Sequence, residues 1–282
     1  MVGLGVSRRR RRGDTASVAD LASILAFATD AARTAGAVAL DRFRNAPRAW
    51  HKADGTWVTE ADHAVEAELR ARIGAAFPDH DVLGEEDGLR AADGGAARPG
   101  VPTWVVDPID GTANYVDGIP IWATLVALRI AGSSVVGVAH APALGETYAA
   151  ARGQGATLNG EPIACSDLVD LAQATVVYGA DRGFAAEGLG PLHDALASRV
   201  RRLRGFGDFW GHMLVARGAA QVMIEPHRGL SPWDVAALEP IVAEAGGAML
   251  TLDGAPFTLG RACLTVGDAL REPVLDLVRA SR

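Results

Sequence analysis

One stretch, from Trp104 to Tyr115, constrains the fold of this chain more than any other. Its apolar start, residues 104–106, is typical of a buried strand, and two carboxylates three positions apart, Asp107 and Asp110, follow at once. Pro108 fixes its own φ and biases Asp107 towards an extended conformation, so the two carboxylates can converge at the strand's end. Turn chemistry alone would also explain each of these residues, so both interpretations stay open at this point.

The residues around the two carboxylates carry the functional interpretation. Two carboxylates and a free backbone carbonyl are hard oxygen ligands, which suit Mg²⁺. Gly111 lets the backbone approach a ligand closely, and exposed N–H groups at Gly111 and Thr112 would suit a phosphate. A metal site and a phosphate site side by side indicate phosphoryl chemistry.

Two further acidic stretches accompany this one in order along the chain. They are Gly84-Glu85-Glu86-Asp87-Gly88 and Pro232-Trp233-Asp234. Together the three sets resemble the signatures of the inositol monophosphatase family of Mg²⁺-dependent phosphatases, over most of the chain from Ala16 onward. The resemblance implies an α/β fold, a layered α-β-α-β-α sandwich of the sugar-phosphatase type.

The resemblance also implies a site with two or three Mg²⁺ ions. The implied ligands are Glu85, Asp107, the backbone carbonyl of Ile109, Asp110 and Asp234, with Asp107 bridging two ions. Catalytic roles are implied for Glu85 and Thr112, which would orient a metal-activated water, and for Asp62, which would support Thr112. Phosphate oxygens would be held by the backbone N–H groups of Gly111, Thr112 and Ala113. Asp62 has a second interpretation, as an acidic residue that favours the first turn of a helix.

A narrower resemblance concerns the substrate. Gly207-Asp208-Phe209 and Trp122 to Leu125 are similar to the histidinol-phosphate phosphatases of the family. This implies L-histidinol phosphate as substrate, with the carboxylates of Asp208 and Glu225 complementing its cationic groups. Helix capping explains Asp208 equally well. Inositol 1-phosphate stays the alternative substrate, followed by fructose 1,6-bisphosphate and by a catalytically inactive regulatory protein.

Composition limits the partners. The net charge is −7 in spite of five consecutive arginines, Arg8 to Arg12, which disfavours general binding to nucleic acid. No apolar run approaches the roughly 20 residues that span a bilayer, so we expect no membrane partner. Cys165 and Cys263 form no metal-spaced or redox motif, which favours a reducing, cytoplasmic setting. We expect a small-molecule phosphate ester as the partner, and a homodimer.

Local patterns predict the organisation of the chain. We expect a disordered basic arm over residues 1–14, an α+β half over 15–148 with most metal ligands, and an α/β half over 149–282 with Asp234 and the substrate-specificity residues. Loops are predicted over residues 50–57 and 90–101. Single helices are predicted over residues 185–199 and 235–245, the second bent by Pro240.

Overall fold

The protein is described here by a computed structural model, in which residues 18–45 and 47–281 are placed. The predicted basic arm at residues 1–14 lies outside these described residues. No helix in the described part of the chain is long and apolar enough to cross a membrane. The division of the chain at residues 148 and 149 stays a prediction.

The described residues form nine α-helices and fifteen strands. The helices are α1 (Val18–Arg44), α2 (Glu60–Ala76), α3 (Thr112–Val116), α4 (Asp181–Ala186), α5 (Gly190–Arg199), α6 (Asp208–Ala216), α7 (Pro232–Ala236), α8 (Leu238–Glu244) and α9 (Arg271–Ala280). The strands are β1 (Ala49–His51), β2 (Trp57–Thr59), β3 (Asp81–Gly84), β4 (Gly88–Ala91), β5 (Thr103–Asp110), β6 (Ala123–Ile130), β7 (Ser133–Ala141), β8 (Glu146–Ala151), β9 (Ala156–Leu158), β10 (Glu161–Ile163), β11 (Thr175–Tyr178), β12 (Arg202–Gly205), β13 (Val222–Glu225), β14 (Gly247–Thr251) and β15 (Cys263–Gly267).

An eight-stranded sheet forms the first half of the molecule, in the order β10-β9-β8-β7-β6-β5-β3-β4. Its strands are antiparallel except at the β3–β5 pair, which is parallel. Alternate residues of the central strands face opposite layers, as the period of a strand requires. Trp104 and Val106 pack with α1 and α2 on one face, whereas Val105 packs with α6, α7 and α8 on the other.

A five-stranded sheet, β12-β11-β13-β15-β14, forms the second half. Strand β11 runs parallel to both of its neighbours, and the remaining pairs are antiparallel. One face packs against α4, α5 and α9 through residues such as Phe184, Leu196 and Leu275, while Cys263 and Met249 on the other face meet the α6–α8 layer. The layers therefore run helices, sheet, helices, sheet, helices, which confirms the predicted α-β-α-β-α sandwich.

Four local predictions were wrong, each for a physical reason. The predicted loop 50–57 contains the ends of a β1–β2 hairpin, whose three-residue strands are too short to show alternation. The predicted loop 90–101 begins inside β4, which pairs with β3. The predicted helix 185–199 is divided into α4 and α5, because Gly188 takes a left-handed conformation, φ +69°.

The fourth error concerns the helix that carries Asp234. It begins three residues earlier than predicted, at Pro232, and its hydrogen-bond ladder is interrupted at Ala237, which itself keeps a helical conformation, φ −78° and ψ −30°. Pro240 has no N–H to donate to the carbonyl four residues earlier, so the hydrogen-bond ladder cannot run through this point. The interruption leaves α7 as a short separate helix with its N-terminus at the site described next.

Candidate active site

Strand β5 delivers two carboxylates to one point. Its pairing with β6 is regular up to Asp107 and resumes at Asp110, with an irregularity between them. Pro108 lies inside this irregularity, where its missing N–H breaks no ladder bond, and its carbonyl accepts a hydrogen bond from the Thr124 hydroxyl at 2.9 Å. The irregularity places two acids on the same end of the strand.

Asp234 joins Asp107 and Asp110 from the second half of the chain. One carboxylate oxygen of each lies within 4.8 Å of the others, and this trio of carboxylates is the acidic cluster found among the described residues. Asp234 is the third residue of α7, where its Oδ2 accepts the Ser231 backbone N–H at 2.7 Å. A capping interaction therefore fixes the carboxylate that completes the trio.

The negative charges of the trio are poorly compensated by their surroundings. Burial raises the pKa of Asp107 well above its ordinary range, and the nearby carboxylates raise it further. Burial and neighbouring carboxylates act on Asp110 in the same way, and burial raises the pKa of Asp234 to about 7. The Oδ1 atom of Asp107 is buried without a hydrogen-bond partner. A divalent cation would satisfy this atom and the charges together, so these residues fit a metal ion.

Glu85, the other predicted metal ligand, is paired with a lysine. It follows β3 directly, and its Oε1 lies 2.7 Å from the Lys52 ammonium, which also lies 2.6 Å from Glu86 Oε1. Burial alone would lower the pKa of Lys52, but the two glutamates outweigh burial and raise it. Sequence reasoning missed Lys52, although one signal was available: it is the only lysine in the sequence, beside 26 arginines.

Thr112 and Asp62 lie beside the acidic residues. The Thr112 hydroxyl donates to the carbonyl oxygen of Ile109 at 2.9 Å. Asp62 Oδ2 accepts both the backbone N–H and the hydroxyl of Thr59, at 2.7 and 2.6 Å, in a capping box at the start of α2. Burial raises the pKa of Asp62 to about 7, and its Oδ1 has no hydrogen-bond partner. The helix-start interpretation of Asp62 is thus correct, and its support of Thr112 stays a prediction.

The predicted phosphate-binding amides are at the start of α3. Gly111 precedes this helix with φ +84°, and a Cβ there would lie only 3.0 Å from the Ile121 carbonyl oxygen, so this position requires glycine. No side chain caps α3. The first N–H groups of a helix have no acceptor within it, so the amides near Gly111, Thr112 and Ala113 are available to a ligand.

Two adjoining cavities open at this point, of about 340 and 600 Å³. The smaller contains the carboxylate trio, and both are lined by Asp208, Glu225 and Leu230. Asp208, at φ +53°, is exposed, and its Oδ2 accepts a hydrogen bond from Asn114 Nδ2 at 3.1 Å. Glu225 is buried, and burial raises its pKa to about 7. Both predicted substrate residues therefore lie on the wall shared by the two cavities.

A histidine that the sequence analysis did not single out, His212, also lines the smaller cavity. His212 is buried on α6, and its Nδ1 lies 2.7 Å from the Thr265 hydroxyl oxygen. Burial lowers its pKa to about 4, so the ring is neutral. No local pattern could have found this residue, because it reaches the site only through the packing of α6 between the sheets.

Comparisons with known proteins place the chain in one family. The model of the inositol monophosphatase family matches residues 20–281. The histidinol-phosphatase of Chlorobaculum parvum is 38% identical over 82% of this chain and 86% of its own length, and that of Mycobacterium tuberculosis is 39% identical over 81% and 87%. Inositol monophosphatase 2 of Solanum lycopersicum is 35% identical over 82% and 88%.

Solved structures give the same answer. The inositol monophosphatase of Anabaena superposes with a TM-score of 0.79 at 29% identity, covering 93% of this chain and 97% of that one. The Thermotoga maritima enzyme superposes with a TM-score of 0.80 at 27% identity, covering 92% and 98%. The chain therefore belongs to the inositol monophosphatase family and is a phosphoric monoester hydrolase.

Proposed function

We propose that this protein is a Mg²⁺-dependent phosphatase that hydrolyses L-histidinol phosphate to L-histidinol. The observation that carries the metal dependence is the trio of Asp107, Asp110 and Asp234, two of them buried and the third partly buried, which brings three carboxylates together at one point. Bound Mg²⁺ would supply electrostatic stabilisation of the phosphate and a more acidic bound water. Two or three ions would be held by the trio together with Glu85 and the Ile109 carbonyl.

The chain's own groups would orient the reactants. The Thr112 hydroxyl already donates a hydrogen bond to the Ile109 carbonyl. Its oxygen therefore stays free to accept a hydrogen bond from a water molecule. Glu85 would accept a hydrogen bond from the second O–H of that water, so that the two residues together orient it. Asp62, whose Oδ1 has no hydrogen-bond partner, would support Thr112, as the family resemblance implies. The amides of Gly111, Thr112 and Ala113 would hold phosphate oxygens at the start of α3.

The cavity wall supports a cationic substrate. Glu225 is buried, accepts the His227 backbone N–H at 3.1 Å, and has no basic side chain within a salt-bridge distance among the described residues. A carboxylate in this setting favours a ligand that brings its own positive charge. Asp208 adds a second carboxylate on the same wall. The relatives named histidinol-phosphatase are 38–39% identical, compared with 34–35% for several named inositol monophosphatase.

Inositol 1-phosphate is the second candidate, because the same carboxylates can accept hydrogen bonds from ring hydroxyls. A panel of phosphate esters assayed with Mg²⁺ separates the two. Histidinol phosphate, inositol 1-phosphate and fructose 1,6-bisphosphate should be compared by kcat/KM, with a chelator-treated sample as control. We expect the highest value for histidinol phosphate and none without metal. A preference for inositol 1-phosphate would overturn the proposed substrate but would leave the assignment as a phosphatase standing. The expected homodimer stays a prediction, which light scattering would test.

A further inference from the structure

The turn that carries Glu85 is hydrogen-bonded to a buried glutamate that is not one of the proposed metal ligands. Glu66 lies on α2 and is fully buried. Its Oε2 accepts the Glu86 backbone N–H at 2.8 Å, and its Oε1 accepts the Asp87 backbone N–H at 3.1 Å. The two residues that follow Glu85 are thus bound to one carboxylate.

Two neighbouring residues, Gly84 and Arg70, accommodate the Glu66 carboxylate. A Cβ on Gly84 would lie 2.2 Å from Glu66 Oε1, so only glycine at the end of β3 leaves room for the acid. Arg70, one turn along α2, donates from Nε to Glu66 Oε1 at 2.8 Å and from its terminal nitrogens to the carbonyls of Val82 and Gly88. The Glu66–Arg70 pair therefore contacts the β3–β4 hairpin on both sides of the turn.

The charge of this arrangement is balanced, unlike that of the trio. Glu66 is paired with Arg70 and with two amides, so it adds little uncompensated negative charge beside Glu85. Both of its carboxylate oxygens already accept hydrogen bonds within the protein. Its contacts can act on a ligand only through the backbone that they hold.

We propose that Glu66 is a positioning residue that fixes Glu85 for metal binding. This inference rests on the proposed function, since it takes Glu85 to be a metal ligand. Groups that orient a metal ligand typically change metal affinity 10- to 100-fold when they are replaced. Glu66→Gln keeps the size of the side chain but turns an –NH₂ group towards at least one of the N–H donors.

The test is titration of chelator-treated protein with Mn²⁺, with the free ion followed by electron paramagnetic resonance and no substrate present. Glu66→Gln should weaken Mn²⁺ binding by about tenfold or more. The matched control is Glu68→Gln, which removes a similar contact between glutamate and arginine on the exposed side of the same helix, Glu68 to Arg72 at 2.9 Å. The control should bind Mn²⁺ as the native protein does.

A double-mutant cycle separates positioning from general damage to the fold. In a Glu85→Gln background, Glu66→Gln should cause no further loss of affinity, because the group that it positions is gone. Equal losses in both backgrounds, or native affinity in a folded Glu66→Gln protein, would overturn the inference. If Glu66→Gln does not fold, Glu66→Asp, which keeps the charge but withdraws it by one methylene, is carried through the same cycle with the same criteria. If Glu85→Gln alone leaves Mn²⁺ binding unchanged, the proposed ligand role of Glu85 fails instead.

Discussion

At the scale of single residues, site residues could be predicted from the sequence where they belong to a short and uncommon motif. Asp107, Asp110 and Asp234 could be predicted because each belongs to a short motif, and the structure brings them together. Lys52, Glu66 and His212 could not be found this way, because their importance lies in contacts made across the fold. Single-residue substitutions give the sharpest predictions for this group.

Asp107→Asn should abolish measurable turnover and raise the melting temperature of the metal-free protein. The substitution removes a buried charge that is repelled by its neighbours and has an unpartnered oxygen. Steady-state assays and thermal unfolding after chelation measure the two effects. Asp79→Asn, at a side chain that is 97% exposed, is the control and should change neither. Near-native activity of Asp107→Asn at ordinary Mg²⁺ concentrations would contradict the metal assignment.

Glu225→Gln should lower kcat/KM for histidinol phosphate ten- to a hundredfold and lower it much less for inositol 1-phosphate. A charge-assisted hydrogen bond to an ammonium group contributes about 1.5–3 kcal/mol, and the amide loses most of it. Both substrates should be measured on both proteins, with the exposed Asp117→Asn as control. Equal losses on the two substrates would mean that Glu225 supports the site generally and does not recognise the amine.

At the scale of helices and strands, long periodic segments were predictable and short or interrupted ones were not. Helices α1 and α2 are 27 and 17 residues long, which is enough for a helical period to show in the sequence. The β1–β2 hairpin and the α7–α8 interruption depend on packing partners far away in the chain. The junction between α7 and α8 at Ala237 shows this dependence, because it packs against Gly137 on β7. A Cβ there would lie 2.1 Å from the Ala237 carbonyl oxygen.

Gly137→Ala should therefore destabilise the protein and disturb the site at the same time. Overpacking of this kind typically costs about 1–3 kcal/mol, and relief by movement of α7 would displace Asp234. Thermal unfolding and Mn²⁺ titration would measure the two effects. Gly190→Ala is the matched control, since a Cβ at Gly190 meets no atom within 4 Å. Native stability and metal affinity in Gly137→Ala would show that the junction has room that the structure does not indicate.

At the scale of the whole molecule, the site exists only because residues from both sheets and from the helical layer between them come together. Strand β5 belongs to the first sheet, Glu225 ends a strand of the second, and Asp234 lies in the helical layer between them. The family resemblance predicted this layering. Local patterns alone could not, because strand order is set by pairings between distant segments.

The clustering of acids predicts how the stability of the whole molecule depends on pH. The pKa values of Asp62, Asp234 and Glu225 are raised to about 7 by burial. A carboxyl group with a raised pKa binds more protons in the folded chain than in the unfolded chain, so the free energy of unfolding falls as pH rises from about 4 to about 7. The melting temperature of the metal-free protein should therefore be lower at pH 8 than at pH 5.

Saturating Mg²⁺ should reduce this fall, because an ion bound by Asp107, Asp110 and Asp234 would replace the protons on those carboxyl groups. Calorimetric melting curves at several pH values, with and without metal, would measure both trends. A metal-free protein that becomes more stable as pH rises over this range would contradict the charge arrangement described here.

The position of Lys52 has a consequence for chemical labelling. A sequence with 26 arginines and one lysine offers an amine-selective reagent a single side chain, and that side chain lies between Glu85 and Glu86. Only the deprotonated amine reacts, so the two glutamates that keep it protonated also slow its acylation. Any ligand that draws Glu85 away should speed the reaction. The rate at which the Lys52 amine is acylated would then report, without any substrate, whether a metal ion occupies the proposed site.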